Sequence, residues 1–226
     1  MSSDLLLSKV DALVLDDHYH VDSDDNCYFL WEYNAGEGFA FSESNRLILN
    51  LKKGVEKRTK YEWRYKLDAI ERSARGLASA ASNSKWDLRG WILVPAPPSK
   101  TKSHELYDDR LVQVAQKIGR LLSVEVLELL ENRLDREPQH ATKAKRDVNA
   151  KITNLRFNRD AISARPRPTG IVIVDDVLTS GATFAACKAV IERNIPGVPV
   201  VGLFIARRVP QPEDLGFDDG AYEHDD

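Results

Sequence analysis

Two adjacent carboxylates, Asp175 and Asp176, stand between an apolar run and a cluster of small residues, Thr179-Ser180-Gly181-Ala182-Thr183. Such a loop lets a backbone approach an anion closely, because Gly181 tolerates dihedrals that other residues avoid and Ala182 adds almost no bulk. At a helix N-terminus its N–H groups meet negative charge favourably, and Thr179, Ser180 and Thr183 bring hydroxyl donors. The two acids cannot serve the same phosphate, since they would repel it. They suit ligand hydroxyls or a divalent metal, and the combination reads as a sugar-phosphate site.

The elements that must position this chemistry are legible on either side. Ile171-Val172-Ile173-Val174 is a β-branched run too short for a helix, which predicts a strand buried on both faces, and Phe184 to Arg193 continues as a helix. A second strand, Gly90 to Val94, ends in Pro95-Ala96-Pro97-Pro98-Ser99-Lys100, a segment that cannot extend a ladder and so forms a loop at the strand's C-terminal end. Ligands of open parallel sheets bind at that edge, where Ser99 offers a hydroxyl and Lys100 a positive charge. Asp108 is placed to cap a helix with the stripe Leu111, Val114, Ala115, Ile118 and Leu122. Val124 to Leu130 reads as another core strand, and Val200 to Ala206 as the last, with Arg207 and Arg208 at its end. A P-loop is excluded as the phosphate site, because Ala182 rather than Lys follows Gly181.

Ahead of this core the pattern changes. Residues 5–15 carry a weak helical stripe, and Cys27 to Tyr33 and Asn45 to Leu51 read as strands of a small antiparallel unit. Thr59-Lys60-Tyr61-Glu62 has capping-box form and opens a long helix to about Asn83, with Trp63, Leu67, Ile70, Ala74, Leu77, Ala78 and Ala81 as its buried stripe. Lys60, Arg64, Lys66, Arg72 and Arg75 fall on its solvated face. His18-Tyr19-His20 lies among aspartates, but no further ligand follows at a metal-binding spacing. The expected organisation is an α+β accessory unit over residues 1–85, an αβ core over 86–208 and an acidic tail over 209–226.

Residues 171–183 resemble the phosphoribosyl-pyrophosphate (PRPP) signature of type I phosphoribosyltransferases, in which a hydrophobic strand runs into two acids and a Thr-Ser/Thr-Gly-x-Thr loop. The resemblance implies that family's fold, a parallel sheet flanked by helices. It also implies that Thr179 to Thr183 hold the ribose 5-phosphate and that Asp175 and Asp176 contact the ribose hydroxyls and, through the ligand, magnesium. The loop Ala96 to Lys100 takes the place of the family's pyrophosphate loop. The polar, basic segment from Glu131 to Arg146 takes that of the mobile loop that closes over the reacting centre. Gln139, His140 and Arg146, with Asn149 and Phe157, resemble landmarks of the ComF-like branch; Lys100 and Arg146 are the candidate cations for neutralising the leaving group. This chain departs from that branch in having no N-terminal four-cysteine zinc module, since Cys27 and Cys187 are its only cysteines, so the branch's association with DNA uptake does not transfer.

Composition bounds the rest. At 226 residues, 42% hydrophobic and 30% charged, the chain is an ordinary globular one, with no apolar run near the roughly 20 residues of a membrane span and no basic, apolar leader. Two cysteines imply neither a disulfide framework nor a zinc site, and a cytoplasmic location is expected. The net charge of −3 is segregated: residues 1–25 hold seven acids and one base, residues 213–226 seven acids and no base, and residues 133–168 ten bases and four acids. The basic stretch suits a polyphosphate ligand as well as nucleic acid. The expectation is therefore a protein that binds PRPP or a nucleoside monophosphate with magnesium and transfers phosphoribosyl to a nitrogen acceptor. The alternative is a catalytically silent PRPP- or nucleotide-sensing module in a DNA-processing or phage-defence system. Self-association or assembly with a partner protein fits either, and nucleic acid is required by neither.

Overall fold

The computed structural model describes residues 5–135 and 148–211. In chain order its strands are β1 (Ser8–Lys9), β2 (Asn26–Asn34), β3 (Trp91–Pro95), β4 (Glu125–Val126), β5 (Leu130–Asn132), β6 (Leu155–Phe157), β7 (Gly170–Leu178) and β8 (Val200–Val209). Its α-helices are α1 (Glu43–Leu51), α2 (Trp63–Asn83), α3 (Arg110–Leu122), α4 (Val148–Asn154), α5 (Asp160–Ser163) and α6 (Ala182–Asn194). Six strands form one sheet in the order β1-β2-β8-β7-β3-β4, in which only β1 is antiparallel to its neighbour. β5 and β6 make a separate antiparallel pair. The fold is α/β, a mostly parallel sheet with helices on both faces.

The β-branched run sits where its composition requires. Ile171 to Val174 are fully buried in β7, between β3 and β8. Alternation along the strand sorts them: Ile171 and Ile173 join Phe184, Cys187 and Ile191 of α6, while Val172 and Val174 join Ala74 and Leu77 of α2 and Ile118 of α3. Burial on both faces is what a parallel strand between two helical layers demands. α2 comes close to β2 because Gly76 has no side chain; a Cβ there would lie 2.7 Å from the Trp31 ring.

Several expectations are corrected. Residues 45–51 are helix, not strand: Ser42 Oγ accepts the Asn45 N–H at 3.0 Å as an N-cap, and Leu47, Ile48 and Leu51 are buried at helical spacing. Residues 26–34 are a strand, but one that pairs in parallel with β8 rather than in an antiparallel unit ahead of the core, so the accessory region supplies part of the main sheet. The buried Asn45 side chain closes that strand's end, accepting the Asn34 N–H at 3.1 Å and donating to its carbonyl at 2.9 Å. The expected helix at residues 5–15 is instead β1 followed by a 3₁₀ turn, Leu15–His18. α2 begins at Trp63 rather than Thr59, because the Glu62 carboxylate pairs with Lys57 at 3.1 Å instead of reaching back to close a capping box.

On α2, Leu67 is half exposed, whereas Lys66 is buried. The strand expected over 124–130 keeps only Glu125–Val126 in the main sheet. After the Leu127 N–H bonds the Leu93 carbonyl at 2.9 Å, the chain turns away to form β5. Among the described residues no helix is long and apolar enough to cross a membrane.

Candidate functional site

The C-terminal ends of β3 and β7 are neighbours in the sheet, so the loops that follow them face one another. Between them lies a cleft of about 1150 Å³ whose walls include Pro97, Pro98, Ser99 and Lys100 from the first loop and Asp175, Asp176, Thr179 and Thr183 from the second. The first loop is held from behind. Asn132 of β5 donates its side-chain amide to the Pro98 carbonyl, and the Asp135 carboxylate accepts the Thr101 N–H at 2.7 Å, a bond that lowers its pKa. The Ala96 N–H is spent on the Val174 carbonyl at 2.9 Å, and Ala96 is buried below the cleft rather than lining it.

The second loop turns at Gly181, whose φ of +84° is the left-handed conformation that glycine adopts without strain, and α6 starts at Ala182. The helix's N-terminal turn therefore points at the cleft mouth between Thr179 and Thr183. Ser180 and Ala182 are buried, and the Ser180 hydroxyl has no protein partner among the described residues. Beneath the loop runs residues 18–21. His18, fully buried, donates Nδ1–H to the Thr179 carbonyl, and the His20 N–H bonds the Ser180 carbonyl at 2.9 Å. The His18-Tyr19-His20 segment thus forms the floor of the Thr179–Thr183 loop. Burial lowers the pKa of His18 despite this bond and the nearby Asp17.

The acid pair is asymmetric. Asp176 is buried and engaged on both oxygens: Oδ2 receives Arg110 Nη2 at 2.6 Å and Nε at 3.2 Å, while Oδ1 accepts the Val177 N–H at 2.7 Å with Lys52 Nζ 3.6 Å away. Asp175 accepts only the Asp176 N–H, at 2.8 Å, and has no salt bridge among the described residues. Burial alone would raise both. For Asp176 the Lys52 and Arg110 charges and the Arg110 hydrogen bonds reverse it and hold the carboxyl well below the usual range. For Asp175 burial is reinforced by the Asp176 charge, and its pKa rises. Arg110 also donates Nη1 to Asp108 at 2.7 Å, and Asp108 takes Lys66 Nζ at 2.6 Å, so a line of alternating charges runs from the cleft into the α2–α3 interface.

The structure thus brings together Lys100, Ser99, Asp175, Asp176, Thr179 and Thr183. Gln139, His140 and Arg146 lie outside the described residues. Both described flanks of their segment, at Asp135 and at Lys151 of α4, line the cleft, and Lys151 Nζ approaches the Thr183 hydroxyl at 3.3 Å. Sequence reasoning missed Arg110, Lys52, Lys151 and His18. A signal existed for Arg110: a cation as the first residue of a helix opposes the helix dipole and needs a carboxylate to hold it there. Asp108 and Asp109 precede it, with Asp109 in the N-cap position without a capping hydrogen bond. Lys52 gave none, because its helix was read as a strand. Chemically, the cleft offers a helix N-terminus and hydroxyls at one end, Lys100 at the other and carboxylates between. That suits a ligand with anionic groups at both ends and hydroxyls in its middle. No family model matches the chain, and no curated protein sequence matches it at a significant level.

Proposed function

We propose that the cleft binds PRPP and that the chain transfers its phosphoribosyl group to a nitrogen acceptor. The observation that carries this reading is the convergence of the Pro97–Lys100 loop, the Asp175–Asp176 pair and the Thr179–Thr183 loop on one cleft at the ends of adjacent parallel strands. In this reading the fold is the type I phosphoribosyltransferase arrangement. Thr179, Thr183 and the α6 N-terminus hold the 5-phosphate, Asp175 accepts from the ribose hydroxyls, and Lys100, with Lys151 at the opposite wall, faces the anionic groups. The bond from the ribose C1 carbon to pyrophosphate breaks with its electron pair on the leaving oxygen, and the acceptor nitrogen supplies the pair for the new bond. Catalysis is then chiefly orientation and charge stabilisation.

Among the described residues no three His, Cys, Asp or Glu side chains converge as a metal site. Asp175, whose carboxylate has no salt bridge among the described residues, would hold a magnesium ion that enters with the pyrophosphate. When bound, magnesium would supply neutralisation of the leaving group.

One observation favours a second reading, a PRPP or nucleotide sensor without turnover: Asp176 is already neutralised by Arg110 and Lys52, which suits a binding site more than one whose charges must follow a reaction. Isothermal titration with PRPP and with AMP, each with magnesium, tests both. Binding lost in the Asp175→Asn/Asp176→Asn double variant supports a cleft ligand of this class; absence of binding in the unaltered protein overturns both readings. Pyrophosphate release with a panel of purines, pyrimidines and pyridines separates them, since turnover removes the sensor.

A further inference from the structure

Next to Lys52, the turn before α1, the end of α1 and the start of α2 carry a surface in which aromatic rings and cations interleave. Residues 46–75 hold ten Lys and Arg against four acids. Lys53 Nζ stands 4.7 Å from the centre of the Phe39 ring and 5.7 Å from that of Tyr65; the Arg64 guanidinium stands 3.6 Å from Tyr61 and 4.7 Å from Tyr65. The Tyr61 and Tyr65 rings meet edge to face at 6.4 Å. These rings are not core: Tyr61 is 71% exposed, Phe39 47% and Tyr65 42%.

We propose that this surface docks single-stranded nucleic acid, with bases stacking on Phe39, Tyr61 and Tyr65 and phosphates running along Lys53 and Arg64. Three exposed rings alternating with cations are what a single strand needs, since every base has a face to stack and every nucleotide a charge to neutralise. Lys53, Arg58, Lys60 and Arg64 have no salt bridge among the described residues, and they set the sign of the partner. The backbone beneath the patch is fixed, because the buried Lys66 donates to the Lys53 carbonyl at 2.7 Å and to Asp108 at 2.6 Å. Tyr65 is presented from the first turn of α2, with Tyr61 just ahead of that helix and Phe39 in the turn before α1. Neighbouring Lys52 contacts Asp176 and lines the cleft, so the patch adjoins it. The inference does not depend on what the cleft binds.

Fluorescence anisotropy with a short labelled oligothymidylate and with oligouridylate, between about 50 and 200 mM salt, tests it. The expected result is salt-sensitive binding that falls about tenfold or more in Phe39→Ala/Tyr61→Ala/Tyr65→Ala, at a retained salt slope. Lys53→Ala/Arg64→Ala should flatten that slope. Circular dichroism confirms that the exposed-residue variants fold. No binding of either oligonucleotide overturns the proposal, as does an unaltered affinity in the triple aromatic variant. Equal affinity for a duplex of matched charge overturns it too, because a duplex offers phosphates without free base faces. So does a self-association seen by sedimentation that the triple variant abolishes while oligonucleotide binding persists, which would assign the patch to a second copy of the chain.

Discussion

Arg110 grips Asp176 across 66 residues of sequence, with Nη2 at 2.6 Å and Nε at 3.2 Å from the same carboxylate oxygen. Its remaining nitrogen reaches Asp108 at 2.7 Å, so one guanidinium bridges two carboxylates at the floor of the cleft. Only a planar fork spans such a pair. The result is that one member of the acid pair is a fixed structural charge, while the other, Asp175, has no salt bridge among the described residues.

Replacing Arg110 by Ala leaves Asp176 buried with only the more distant Lys52, and the expected cost is about 3 kcal/mol in urea unfolding at pH 7. Arg110→Lys should recover only part, since an ammonium cannot make both contacts. Asp176 is held below its unfolded pKa, so its stabilisation is full above that value and is lost as pH falls through the folded one. The difference between the unaltered protein and Arg110→Ala should therefore be widest near neutrality and shrink below about pH 4. A pH-independent difference would mean that Arg110 acts by packing alone.

Asp175 should behave in the opposite sense. Its folded pKa is raised, so its charge penalises the folded state fully above that pKa, and the penalty disappears as pH falls toward the unfolded value near 4. Asp175→Asn is expected to stabilise the protein by at least about 1 kcal/mol above neutral pH, with the gain vanishing near pH 4. The same substitution should remove magnesium-dependent binding of PRPP, an exchange of function for stability. Unfolding curves at several pH values and titration calorimetry read the two effects separately.

The strand and loop at 171–183 were legible because every local preference agrees there: β-branched residues in a doubly covered strand, then glycine at the one left-handed position. The loop at Pro97 to Lys100 was legible because prolines can hardly do anything else at a strand's end. The N-terminal half was misread where local and tertiary preferences conflict. Leu47-Ile48-Leu49 has strand composition, yet the Ser42 cap and the space beside α2 make it a helix. Parallel pairing of β2 with β8 joins positions some 175 residues apart, which no local pattern encodes. Long separation also hid His18, whose role exists only once the chain has brought it beneath Thr179, 161 residues away.

His18 ties the N-terminal segment to the Thr179–Thr183 loop, and its loss leaves the Thr179 carbonyl without that donor. His18→Phe keeps the volume and should cost about 1–3 kcal/mol at pH 7, while weakening binding of a 5-phosphate ligand. Because the folded pKa of His18 is lowered, its neutral form is stabilised in the folded state. That stability is full above the unfolded value near 6.5 and declines as pH falls below it, when the unfolded chain takes up the proton first. The phenylalanine variant lacks this loss, so its deficit should narrow below about pH 6. A deficit that stays constant with pH would show that the imidazole is not buried as a neutral group.

Gly181 answers for the loop itself. An alanine there must hold a φ of +84° and place Cβ 2.6 Å from Val21 Cγ2 and 3.2 Å from the Val21 nitrogen. The strained dihedral and the overlap together should cost about 2 kcal/mol, and because relief comes by shifting the loop away from residues 20–21, Thr179 and Thr183 lose their register on the phosphate. Val21→Ala in the same chain removes the methyl group in the way but neither the dihedral strain nor the backbone contact. The double variant should regain part of the stability and less of the phosphate affinity. Equilibrium unfolding and competition by inorganic phosphate measure the two. If the double variant recovers nothing, the floor formed by His20 and Val21 does not set the loop's shape, and the cost of the alanine lies in the dihedral alone.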